Sequence, residues 1–114
     1  MWKTGGKRTV ADKAIPQQLT SDSILAYAVR IEVIPSNTKR IALGSDSTVR
    51  AGVAGSSDPS GNVLAILGKP ADASSTPPSI ERQIDNAPGG ILLSSIYVAP
   101  EVDGEGVYWS YDEA

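Results

Sequence analysis

The sequence predicts an all-β domain: a small β-sandwich or partly open β-barrel with an extended N-terminal arm and long loops rich in Pro, Gly and Ser. Three observations predict it. Short apolar runs with a period of two recur along the chain, most clearly in SILAYAVRIEVI. The 11 glycines and 8 prolines punctuate the stretches between those runs. Helical spacing is never sustained: ILLSS, the nearest approach to a helix start, is confined between Gly90 and Pro100.

Taken in order, residues 1–20 show no periodicity and read as the arm, with residues 21–114 forming a single domain. The arm is basic through Lys3, Lys7, Arg8 and Lys13, carries Trp2, and is loosened by Gly5 and Gly6. An arm of this type gains burial by docking on a neighbour, so removing residues 1–15 should weaken assembly and leave the domain folded. SILAYAVRIEVI then places Leu25, Tyr27, Val29, Ile31 and Val33 on one strand face, with Arg30 and Glu32 on the more solvated side. PSNT is a turn. KRIAL and TVRAGV read as the next two strands, and the small Ala42 and Gly52 imply that a neighbouring layer comes close. AGSSDPSGN is a loop, and NVLAIL another strand.

Residues 71–79 hold Pro77 and Pro78, which remove ladder donors, so this stretch is a surface loop or an arm laid along another surface. IERQI is a short strand. ILLSSIYVA, after the turn Pro88-Gly89-Gly90, is expected as one buried strand. GVYWSY closes the set, with Val107, Trp109 and Tyr111 on one face and Tyr108 and Ser110 on the other.

A chain of 114 residues makes one core, and with 40% hydrophobic residues and no Phe that core is thin. Some burial is therefore expected from a partner. Cys and His are absent, which excludes disulfides, Cys/His zinc sites and a histidine base. No run approaches twenty apolar residues, and MWKTGGKRTVADK lacks the apolar stretch of a secretory signal, so no membrane association is expected. The net charge of -3 hides a division: the first fifty residues carry eight basic and four acidic groups, the remainder two basic and nine acidic. Such polarity attracts complementary surfaces, including copies of the same chain. Nucleic acid is not an expected partner, because no basic patch is interleaved with aromatics.

The stretch EVDGEG raises a chemical question. Glu101, Asp103 and Glu105 alternate, as paired carboxylates of a glycosidase or ligands of a calcium ion would. A glycosidase acid needs an apolar wall to raise its pKa, and none flanks them; the spacing also does not match a calcium-binding EF-hand loop. The stretch reads as a charged turn, and whether it holds a cation is left open. Gly44-Ser45-Asp46-Ser47 has no histidine partner, and Gly68-Lys69-Pro70 lacks the spacing of a phosphate loop. No catalytic residue, metal ligand, cofactor or small-molecule substrate is assigned, and the chain is not expected to be an enzyme. The interface candidates are Trp2, Arg30, Arg50, Pro77, Pro78 and Tyr108.

The stretch VIPSNTKRIALGSDSTVRAGVAG, residues 33–55, resembles the small β-rich virion proteins of tailed bacteriophages. There an extended segment precedes a basic-apolar strand, a short turn, a TVRAGV-like strand and a polar loop. The resemblance implies a non-enzymatic structural protein of the virion, in capsid decoration or at the head-tail junction. It implies homo-oligomers and contacts with a major capsid or other virion protein. The alternatives are a glycan- or receptor-binding module of a phage tail, and a calcium-stabilised or hydrolytic domain.

Overall fold

The strongest alternation in the sequence becomes a central strand, and the two chain ends come together beside it. A computed structural model describes residues 2–53, 59–68, 79–83 and 90–113, with the backbone alone for 79–83. In chain order the strands are β1 (Trp2–Thr9), β2 (Gln17–Gln18), β3 (Leu25–Val33), β4 (Ile41–Gly44) and β5 (Val63–Leu67). They continue with β6 (Ser79–Gln83), β7 (Ile91–Leu92), a 3-10 turn at Leu93–Ser95, β8 (Tyr97–Pro100) and β9 (Gly106–Glu113). One sheet runs β1-β9-β3-β6 with β7 also on β3, and the other runs β2-β8-β4-β5. All the pairings are antiparallel. The expected small all-β sandwich is the fold adopted.

The core lies between the sheets. Ala26, Val29, Ile31, Val33, Val107 and Trp109 enter it from the first sheet, and Ile41, Leu43, Leu67 and Val98 from the second. Val10, Leu19, Leu93 and Ile96 close its margins from the connections. β3 departs from plain alternation: its register against β9 shifts between Ala26 and Ala28. The shift brings Ala26 onto the core side with Val29 and leaves Leu25 and Tyr27 exposed. The five residues expected to share a face therefore divide at the bulge.

Three further expectations are corrected. Residues 2–9, read as part of an arm, are extended but pair with β9 within the domain. There Gly5 is the extra residue of a bulge, and a Cβ on it would come within 2.1 Å of the Trp109 ring. The missing side chain is what lets the indole lie beneath β1. TVRAGV is not a regular strand. Val49 and Ala51 instead pack with Ala42 and Ala99 as a second small cluster, so the segment covers part of the second sheet. Gly44 permits this approach, since its Cβ would meet that of Val49 at 2.4 Å. Ala42 thus meets the close layer its size implied.

ILLSSIYVA is not one strand either. The 3-10 turn splits it, leaving β7 on the first sheet and β8 on the second, so the chain crosses between layers here. Ser95 steadies the crossing by donating its hydroxyl to the Leu92 carbonyl at 2.6 Å. Beside the flap that residues 48–53 form over the second sheet, the Asp46 carboxylate accepts hydrogen bonds from the Thr48 hydroxyl and N–H and from the Asn62 side chain. Those donors, the Thr48 hydroxyl foremost, hold its pKa below the usual carboxylate range.

Candidate functional site

Residues directly opposite in antiparallel strands point to the same side of a sheet. Across β1, β9 and β3 the register aligns Thr4, Ser110 and Arg30 in one row and Lys7, Tyr108 and Glu32 in the next. With Val107 and Trp109 buried on the core side, these rows form the outer face of the first sheet. Trp2, at the start of β1, is 47% exposed, and Tyr108 is 39% exposed. Two adjoining open depressions, each of about 440 Å³, run across the face. Trp2 lines one and Tyr108 the other, while Thr4, Arg30 and Ser110 line both.

Three of the six interface candidates, Trp2, Arg30 and Tyr108, are therefore brought to one face. Arg50 is elsewhere: its guanidinium donates to the Ser47 carbonyl at 2.9 Å and the Val49 carbonyl at 2.8 Å, bracing the flap over the second sheet. Pro77 and Pro78 lie outside the described residues. The sequence pairs Ser110 with Tyr108 on one strand face, but it does not reveal Thr4 and Lys7 as their companions, nor that Arg30 joins them. β1 carries no hydrophobic alternation, so nothing in its sequence revealed the register that places them.

Both depressions of this outer face are open to water. Among the described residues no group of three or more His, Cys, Asp or Glu side chains is placed to hold a metal ion. At the sheet's margin Lys3 pairs with Glu113, whose carboxylate raises the lysine pKa by hydrogen bond and charge.

EVDGEG lies at one end of the sandwich, and its carboxylates address three different places. Glu101 is 6% exposed and accepts from the Arg40 backbone N–H at 3.0 Å and its Nε at 3.1 Å. Glu105 accepts from the Thr38 N–H at 2.7 Å, the Thr38 hydroxyl at 2.9 Å and the Lys39 N–H at 3.2 Å. Asp103 accepts from the Lys13 N–H at 2.8 Å. Between them, buried Asn37 donates its amide to the Gly106 carbonyl at 2.7 Å. The acidic turn is a clasp that satisfies loop N–H groups which would otherwise lack partners within secondary structure.

The chain matches no family model, no curated protein and no solved structure.

Proposed function

We propose that the protein is a non-enzymatic structural module that stabilises an assembly through protein-protein contacts, using the outer face of the first sheet. The reading extends the resemblance of residues 33–55 to virion proteins of tailed bacteriophages, with copies of the same chain as the first partner. The observation that carries it is the convergence of Trp2, Arg30 and Tyr108 on one open face. Trp, Tyr and Arg are the residue types that most often anchor interfaces, because each removes a large area from water while keeping a polar group to pair. Broad, shallow depressions suit a protein surface better than a small substrate, which needs enclosure on most sides.

Native mass spectrometry of the wild-type chain beside an Arg30→Ala/Tyr108→Ala variant tests the proposal. The wild type should form a closed oligomer. Loss of about 2 kcal/mol of contact energy, roughly thirtyfold in affinity, should shift the variant toward monomer with an unchanged urea midpoint. A wild-type chain that stays monomeric at every concentration would remove self-assembly from the proposal. A second reading, glycan binding, draws on Tyr108 lying near the Thr4 and Ser110 hydroxyls in one depression. Glycan-array binding lost on Tyr108→Ala, with the native mass unaltered, would favour it.

A further inference from the structure

β1 closes one end of the first sheet, and among the described residues only β9 pairs with it. Beyond that ladder, no backbone group of residues 2–9 hydrogen-bonds to the backbone of a described residue. In an antiparallel edge strand alternate N–H and C=O groups point away from the sheet, so β1 offers a free ladder over an eight-residue strand. Its side chains are one-signed: Lys3, Lys7 and Arg8 are basic, and no residue of the strand is acidic. Lys3 and Lys7 are exposed, while Arg8 is half-buried and donates to the Leu19 carbonyl at 3.3 Å.

We infer that the free edge of β1 is a strand-addition site for an extended, acidic segment of a partner protein. Backbone pairing supplies the affinity of such a site, and the side chains flanking the ladder supply its selectivity. A second copy of β1 is the wrong occupant. Antiparallel pairing of the strand with itself can set Lys3 against Arg8, which lie on the same side, a like-charge opposition that destabilises a sheet. Lysines and a bulge are also how edge strands avoid pairing with themselves. Lys7, which makes no ion pair with a described residue, repels an incoming cation and attracts a carboxylate, so one feature serves both rejection and selection. Trp2, exposed at the start of the strand, adds an apolar anchor beside the ladder. This edge adjoins the outer face and shares Trp2 and Lys7 with it, but its test reads the backbone amides of β1, so either proposal can fail without the other.

The probe is a synthetic peptide of alternating Glu and Thr, as long as β1, added to the full chain and followed by amide hydrogen exchange. Protection should appear at alternate amides of residues 2–9 and fade as salt is raised, because the selectivity is ionic. Lys7→Glu, which removes a side chain making no ion pair with a described residue, should weaken binding by about tenfold or more. A peptide N-methylated at alternate residues should give no protection, since it lacks the ladder donors. Equal protection by a Lys/Thr peptide would overturn the inference, as would protection confined to residues 30 and 108. So would complete absence of protection. Concentration-dependent protection of β1 without peptide would assign the edge to a second copy and overturn it equally.

Discussion

Glu101, Asp103 and Glu105 show how much a single residue's role depends on partners far away in the chain. Their alternation and the glycines beside them were visible in the sequence, and the turn they form was predicted. Their roles were not, because the N–H groups they bind lie 61, 90 and 67 residues away. A carboxylate that reads locally as surface charge can be a buried tie. The three should differ in weight. Glu101→Ala leaves half-buried Arg40 and its backbone N–H without this acceptor, and should cost about 3 kcal/mol. Glu105→Ala removes hydrogen bonds near the surface and should cost about 1 kcal/mol. Urea unfolding of each variant checks both values, and equal, negligible losses would return the turn to simple surface charge.

Among the elements, β3, β4, β5, β6 and β9 were readable because hydrophobic period and turn residues agree in each. The misreadings share a physical cause: neighbours in space overrode local pattern. β1 has no alternation, since its core-side place at Gly5 is occupied by the Trp109 ring from another strand. In β3 a bulge shifts the faces at a position where the sequence continues to alternate. TVRAGV alternates like a strand, but its apolar residues serve a flap over small Ala42 and Ala99. The β3 bulge gives a test that separates pattern from structure. Ile31→Ala should cost about 3 kcal/mol, since Ile31 is 2% exposed. Tyr27→Ala, at a 52% exposed residue that simple alternation places on the same face as Ile31, should change stability by less than about 1 kcal/mol. Similar losses in chemical denaturation for the two variants would mean that the bulge does not set the faces.

At the scale of the whole molecule, the first and last strands are adjacent, and β9 sits between β1 and β3. Trp2 pairs with Asp112 and Thr9 with Gly106, so the sheet cannot be completed until almost the full chain is present. Such pairing costs loop-closure entropy before it gains contacts, which places folding in the slow range for its size. It also changes what the N-terminal residues do. A pendant arm would be removable without harm to the domain, as the sequence led one to expect. A strand lying over Trp109 is not: deleting residues 1–9 uncovers an indole now 8% exposed and leaves one side of β9 unpaired. The deletion should lower stability by about 3 kcal/mol and shift Trp109 fluorescence to the red in the folded baseline. Unchanged unfolding with loss of oligomer alone would restore the arm. Loss of both would mean that this small domain uses one strand to complete its own core and, through that strand's outer face, to meet a copy of itself.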